Sequence, residues 1–171
     1  MKPEFIEKEA MIMAGFSFYG TPFEFKDFWD EQNEIGKLWQ RFMGFIQQVD
    51  TETYPILRNL KAFYEIHIDT PETLVNGVFE VFVGTQIPFL DDLPLELVIK
   101  VLPAIEYAVF TLKGEEITSD WPQLIYDQWM PQNGYELAYP FNFQYYDHRF
   151  KGMDKISEST IDVFVPIRKI I

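Results

Sequence analysis

Apolar residues alternate with polar ones over residues 4–18, a spacing that predicts a β-strand closed by Gly20-Thr21-Pro22. From Asp27 to about Val49 the spacing changes to that of a helix with one apolar face. Asp27 is the predicted N-cap of this helix, with Asp30 and Glu31 in its first turn. Its apolar face carries Ile35, Leu38, Trp39, Phe42, Phe45, Ile46 and Val49.

The rest of the chain predicts more strands and a second helix. Strands are expected over residues 63–69 and 78–85, and a turn-rich linker follows over residues 88–94. A long strand over residues 97–113 is interrupted at Pro103. A helix capped by Ser119, with an apolar face of Trp121, Leu124, Ile125 and Trp129, is stopped by Pro131 and Gly134. The last strands are predicted over residues 141–147 and 160–169. The fold class is therefore α+β, with an antiparallel sheet and one main helix in each half.

The chain also resembles itself. At an offset of 94 residues, residues 10–20 match residues 104–114, with identities at Ala10/Ala104, Ala14/Ala108, Phe16/Phe110 and Gly20/Gly114. At an offset of 82, residues 79–84 match residues 161–166. A β-α-β-β unit buries its own sheet face poorly, so two copies should pack together as a single domain. We expect one module over about residues 1–87, the other over about residues 95–171, and a groove between them.

Composition narrows the choice of partner. The formal net charge is −13, and the 14 Lys and Arg residues form no basic run, which argues against direct binding of nucleic acid. A negative field favours cationic partners, although an acidic surface also simply confers solubility. Aromatic residues make up 18% of the chain; most of these rings are expected in the core, and the sharper interpretation is that some of them line a pocket.

Several kinds of chemistry find no support in the sequence. Cysteine is absent, which excludes disulfides and thiolate catalysis. His67 and His148 lack the spacing of metal ligands, and no phosphate-binding glycine loop is present, so neither a metal nor a cofactor is predicted. No apolar run is long enough to cross a bilayer and the first residues do not resemble a signal peptide, so a cytoplasmic location is expected, with no membrane partner.

Five motifs occur in the order found in a known family. They lie at residues 103–114, 121–131, 134–136, 143–147 and 161–167, and in this order they resemble the GyrI-like small-molecule-binding family. The same module is the effector-binding domain of AraC-type and MerR-type transcription regulators. The resemblance implies two modules related by a pseudo-twofold axis and a groove for hydrophobic, often cationic, compounds. With no helix-turn-helix segment, the chain is expected to be a stand-alone member.

One position departs from the family pattern. Where the family usually has Phe-Glu-x-Tyr-Asp, residues 143–147 place Gln144 at the position of the glutamate. In the family, that carboxylate meets a cation or performs acid–base work. Glutamine can hydrogen-bond but carries no charge and is not a base at neutral pH. The resemblance therefore supports the pocket more strongly than it supports cation preference or catalysis.

Other residues are candidates for the pocket. Glu65 is the pseudo-symmetric counterpart of Gln144, and Glu106 shares its side of a strand with Ala108 and Phe110. Each acid faces either the groove or water, and the pattern allows both. Trp39 and Trp129 are read first as core residues, although a helix aromatic can also wall the groove in this family. The predicted ligand-binding residues are Glu65, Glu106, Tyr107, Trp129, Gln144, Tyr146 and Phe164.

Three functions remain open at this point. The first is non-enzymatic binding of a hydrophobic or aromatic small molecule, with cations among the candidate ligands and no catalytic residue predicted. The second is hydrolysis of strained electrophilic natural products, which needs a positioned acid or base that Gln144 does not provide. The third is a protein-interaction module, such as a gyrase modulator, that uses the acidic surface to bind a protein partner.

Overall fold

A computed structural model describes residues 2–22 and 33–170. Within these ranges the chain forms nine strands, three α-helical segments and three short 3-10 helices at Pro55–Leu57, Gly114–Thr118 and Met153–Glu158. The strands are β1 (Glu4–Lys8), β2 (Met11–Gly20), β3 (Phe63–Asp69), β4 (Phe79–Ile87), β5 (Val98–Leu102), β6 (Ile105–Lys113), β7 (Tyr135–Leu137), β8 (Phe141–Tyr146) and β9 (Thr160–Lys169). The helical segments are α1 (Glu34–Gln48), the short α2 (Thr73–Asn76) and α3 (residues 121–133), whose middle, Leu124–Trp129, has π-type hydrogen bonding.

The strands pair in an antiparallel sheet in the order β1-β6-β9-β8-β3-β4-β2-β5, with β7 pairing to β9. The predicted α+β class with an antiparallel sheet is therefore confirmed. The strand order is symmetric when β1 is matched with β5, β2 with β6, β3 with β8, and β4 with β9. Exchanging the members of each pair and reading the order from the other end gives the same order. This is the arrangement that the predicted repeat requires, and the twofold relation itself stays a prediction.

Two short connections force the sheet to curl. β1 and β2 are six positions apart in the sheet, about 29 Å in a flat arrangement at about 4.8 Å per strand. Only Glu9 and Ala10 join them, and three chain steps reach at most about 11 Å. Pro103 and Ala104 join β5 to β6 in the same way. The edges of the sheet must therefore bend toward each other.

The predicted strand over residues 4–18 is wrong in one respect, because Glu9 and Ala10 divide it into β1 and β2. The predicted interruption at Pro103 is confirmed, since β5 ends before it and β6 begins after it. Both breaks place the two pieces of an apparently continuous strand at opposite sides of the sheet.

The two long helices cover one face of the sheet. α1 packs Ile35, Leu38 and Phe42 against Val81 and Val83 of β4. α3 packs Trp121, Ile125 and Met130 against a cluster formed by β6 and β9, which includes Ala108, Phe110, Val163 and Val165. The opposite face encloses a second core, which contains Met13, Ile66, Phe82, Tyr107, Phe143 and Phe164. Both faces of the central strands are therefore apolar.

The helix ends differ in part from the sequence prediction. Asn33 caps α1, and its side chain accepts a hydrogen bond from the Gly36 amide at 2.8 Å. Asp27, Asp30 and Glu31, the predicted cap and first-turn acids, lie outside the described residues. Asp120 rather than Ser119 caps α3, because its carboxylate accepts from the Gln123 amide at 3.3 Å.

Only one of the two residues predicted to stop α3 ends the helix. Pro131 does not end the helix, which continues to Asn133. Gly134 follows in the left-handed conformation, with φ of 71°, a region that favours glycine. The predicted stop at Gly134 is thus confirmed, whereas Pro131 lies near the start of a final helical turn, where a missing amide proton is tolerated.

A glycine pair between β2 and β4 supplies a test of the packing. Gly15 faces Gly84 across the two strands, and the Phe82 ring lies against both. A Cβ on Gly15 would lie 2.1 Å from the Val83 carbonyl oxygen, whereas one on Gly44 in α1 would meet nothing within 4 Å. Gly15→Ala should lower the free energy of unfolding by about 2 kcal/mol or more, because backbone must move. Gly44→Ala should raise it by about 0.5–1 kcal/mol. Urea denaturation measures both, and equal stabilities would contradict the prediction.

Candidate ligand-binding cleft

The two central strands form the floor of a cleft on the face that carries the helices. Alternation along β3 and β8 sends every second side chain to that face. Three cross-strand pairs result, namely Phe63/Tyr146, Glu65/Gln144 and His67/Asn142. All six residues line a cleft of about 1900 Å³, walled by residues of α1 and α3. The floor is therefore aromatic at one end and polar in the middle.

Glu65 lies at the centre of this floor and is only 3% exposed. Trp39 Nε1 of α1 donates to its Oε2 at 2.6 Å. His67 Nε2 and Gln144 Nε2 donate to its Oε1 at 2.7 Å and 3.2 Å. Burial of an ionised carboxylate is costly unless such donors replace water. Among the described residues its only ion-pair contact is His67, so no lysine or arginine there neutralises it.

Gln144 links the carboxylate to a buried tyrosine. The Tyr146 hydroxyl donates to Gln144 Oε1 at 2.7 Å, which fixes the amide so that its nitrogen points to Glu65. Burial, and secondarily the negative charge of Glu65, raise the pKa of Tyr146 well above its usual value. Tyr146 therefore stays a neutral donor, and the chain of hydrogen bonds runs in one direction from Tyr146 to Glu65.

Aromatic rings surround the carboxylate. The Trp39 and Tyr146 rings meet edge to face with centroids 5.0 Å apart, and Tyr146 meets Phe150 at the same distance. Phe79 packs on the His67 ring with centroids 5.5 Å apart. Rings at such positions attract a cation through their electron-rich faces.

The far end of the floor is more polar. Burial raises the pKa of the Asp69 carboxyl, although the nearby His67 lowers it. Tyr126 of α3 lies near Asn142 and Asp69, and burial raises the pKa of its hydroxyl, so the group is neutral at physiological pH. This end offers hydrogen-bonding groups rather than a second buried charge.

The structure brings together three of the seven predicted pocket residues, Glu65, Gln144 and Tyr146. Tyr107 and Phe164 instead lie in the core on the opposite face of the sheet. Both rings were expected to face the groove. Instead, their neighbours Ala108, Val163 and Val165 face the helices, so alternation along the strands sends Tyr107 and Phe164 to the other face.

Glu106 and Trp129 also lie away from the cleft. Glu106 is opposite Glu7 of β1, near the start of β6 and outside the cleft lining. Trp129 packs between two strands, with its ring stacked on Tyr135 at 5.5 Å and edge to face with Phe110 at 5.1 Å. Trp129 is therefore a packing residue, in agreement with its first interpretation as a core residue.

Sequence reasoning missed several residues of the site, including Trp39, Phe63, His67 and Asn142. Trp39 was read as core, and its stripe position does not distinguish a core ring from one that lines a cleft. The indole N–H is a usable signal, since a buried tryptophan generally needs an acceptor. His67 was considered only as a metal ligand, and Phe63 was not considered; both alternate along β3 on the same face as Glu65.

The chain belongs to the family of integron-associated effector-binding proteins, whose model matches residues 4–167. Its fold is that of GyrI-like effector-binding domains. The predicted family resemblance is therefore confirmed. Among the described residues no group of three or more His, Cys, Asp or Glu is arranged to hold a metal. None of the described helices is long and apolar enough to cross a membrane.

Known relatives agree with this assignment. The transcriptional regulator BrlR of Pseudomonas aeruginosa is 28% identical over 170 residues, which are 98% of this chain and 56% of BrlR. The chain thus spans about half the length of that relative. SAV2435 bound to tetraphenylphosphonium has a TM-score of 0.67 at 12% identity, over 98% of this chain and 94% of SAV2435. A hydrolase from Listeria innocua has a TM-score of 0.58 at 11% identity, over 98% and 92% of the two chains. These two structures show the shared fold.

Replacing Gln144 by glutamate tests the electrostatics of the floor. The new carboxylate would lie beside Glu65, whose Oε1 is 3.2 Å from the present amide nitrogen. Like charges raise the pKa of one member of such a pair above the ordinary value of about 4.3. The free energy of unfolding of Gln144→Glu should therefore be near that of the wild type at low pH. It should fall by about 1–3 kcal/mol relative to the wild type as the pH rises to 8.

The measurement is urea denaturation between pH 5 and pH 8. The exposed Gln128 on α3 provides the control, and Gln128→Glu should show no such pH dependence. A Gln144→Glu variant with wild-type stability throughout this range would contradict the placement of residue 144 beside a charged Glu65.

Proposed function

We propose that this protein binds a hydrophobic, cationic small molecule in the cleft, with Glu65 as the counter-charge. The observation that carries the proposal is a carboxylate that is 3% exposed, surrounded by aromatic rings and free of lysine or arginine partners among the described residues. Hydrogen bonds from Trp39, His67 and Gln144 hold the carboxylate in place without cancelling its charge.

A cation would improve the energetics of this arrangement. A buried charge without a counter-charge is costly, and a ligand cation would supply one inside the low-dielectric cleft. Rings such as Trp39 and Tyr146 would add hydrophobic contact and cation–π attraction. The net charge of −13 would also raise the local concentration of cations and the rate at which they associate.

The proposal also explains how the cleft keeps a charge without the usual family glutamate. Gln144 stands at that position, and Glu65 is its direct cross-strand partner. Directly opposed side chains in an antiparallel pair have Cβ atoms about 5 Å apart. The counter-charge is therefore moved by one strand, from β8 to β3, and still lies at the centre of the floor.

The relatives support this class of ligand and role. SAV2435, which has the same fold, is bound to tetraphenylphosphonium, a hydrophobic cation. BrlR is a transcriptional regulator, and the family model describes effector-binding proteins. We propose non-enzymatic binding of an effector or drug, without direct contact of this chain with nucleic acid.

Two ions of nearly equal shape test the proposal. Tetraphenylphosphonium should bind and quench tryptophan fluorescence, because Trp39 donates to Glu65, whereas tetraphenylborate should bind at least about tenfold more weakly. Glu65→Gln keeps the shape and removes the charge, and should weaken cation binding at least about tenfold.

Glu106→Gln is the matched control, because it removes the same charge from a glutamate outside the cleft lining. It should leave the affinity for tetraphenylphosphonium within about twofold of wild type, since Glu106 lies outside the cleft lining. Equal binding of both ions, or equal effects of the two glutamate variants, would contradict the proposed role of Glu65.

Gln144→Glu should have the opposite effect on binding from its effect on stability. A bound cation would neutralise the added carboxylate beside Glu65, so affinity for tetraphenylphosphonium should rise several-fold at pH 8. Isothermal titration calorimetry measures the change. Unchanged or weaker binding by a folded variant would contradict a position of residue 144 beside the ligand's charge.

A further inference from the structure

His67 occupies a special position in the cleft. Its Nε2 lies 2.7 Å from Glu65 Oε1, and its side chain is 19% exposed. Phe79 packs on the imidazole ring with centroids 5.5 Å apart, which holds the ring in place. In the described part of the chain, His67 is the one side chain in contact with Glu65 that can gain a positive charge.

The groups that face His67 come from four elements. On β3 its neighbours on the same face are the carboxylates of Glu65 and Asp69. From β4 it meets the uncharged Phe79, and across β8 it pairs with Asn142, which is also uncharged. From α3 comes Tyr126, near Asp69 and Asn142, whose raised pKa keeps it neutral. The charges near the imidazole among these residues are therefore both negative.

We propose that His67 is a specificity-determining residue of the cleft, because its protonated ring supplies the counter-charge that a cationic ligand otherwise supplies to Glu65. The inference rests on the proposed function. It adds that a protonated His67 and a hydrophobic cation compete to neutralise the same carboxylate, that of Glu65. With a neutral imidazole, Nε2–H donates to a carboxylate whose charge is uncompensated. With a protonated imidazole, the pair is neutral and the ligand loses its electrostatic partner.

The competition has a defined direction. Imidazole is the side chain that ordinarily changes charge between pH 5 and 8. A permanently charged ligand should therefore bind more tightly at pH 8 than at pH 5.5. By linkage, a bound cation must disfavour protonation of His67 by the same factor. The cleft should therefore prefer ligands whose positive charge persists at neutral and alkaline pH, where His67 does not neutralise Glu65.

The chain offers a matched control, because His67 and His148 are its only histidines. The His148 side chain is 86% exposed and its nearest carboxylate oxygen, on Asp147, is 3.9 Å away. Tetraphenylphosphonium is titrated into the wild type, His67→Gln and His148→Gln at pH 8 and pH 5.5. Glutamine keeps a hydrogen-bond donor at position 67 without a titrating charge.

We expect wild-type affinity to fall about five- to tenfold between pH 8 and pH 5.5, and that of His67→Gln to fall less than about twofold. His148→Gln should behave as the wild type. The residual slope in His67→Gln reports the other cleft acids, Asp69 among them. The same slope in the wild type and His67→Gln would overturn the proposal.

A second readout is the NMR signal of each imidazole at pH 5.5. The His67 signal should move toward that of a neutral ring on saturation with tetraphenylphosphonium, whereas the His148 signal should not move. Failure of tetraphenylphosphonium to bind at pH 8 would contradict the proposed function itself. Binding without a change of the His67 signal would overturn only the competition.

Discussion

The buried side chain of Glu65, on one of the two central strands, is the constraint on which the cleft depends. Removal of a carboxylate from water requires donors in fixed positions. Here the donors come from α1, β3 and β8, through Trp39, His67 and Gln144. One side chain therefore ties a helix to both central strands and sets the chemistry of the floor.

The sheet places that carboxylate where a ligand could reach it. Two-residue connections at Glu9–Ala10 and Pro103–Ala104 force the sheet to curl, and one apolar core fills the face opposite the helices. α1 and α3 pack on the other face over separate clusters, on β4 and on β6 and β9. The two central strands between these clusters, β3 and β8, form the floor of the cleft. The cleft is thus a consequence of how two helices share one sheet.

Much of the fold was predictable because its signals are local. The strands Phe63–Asp69 and Thr160–Lys169 were predicted with their observed bounds, since alternation and flanking turn residues define them. The break at Pro103 follows from proline, which cannot donate to a sheet. The equivalent break at Glu9 and Ala10 contains neither proline nor glycine, so nothing in the sequence marked it.

The candidate site was less predictable, for a physical reason. Both faces of the central strands are apolar, so alternation shows which residues share a face but not which face carries the helices. Tyr107 and Phe164 were therefore assigned to the wrong face. Glu65 and Gln144 were found through the family resemblance and the internal repeat, which do not depend on that choice. Trp39 and His67 act through side-chain hydrogen bonds between elements, and these are visible only in the folded chain.

The most direct test of the central role of Glu65 is a crystal structure of the protein with tetraphenylphosphonium. The phosphorus should lie within about 6 Å of the Glu65 carboxylate, with phenyl rings against Trp39 and Tyr146. A cation bound beside another acidic residue of the cleft lining, such as Asp120 or Glu136, and away from Glu65 would contradict it.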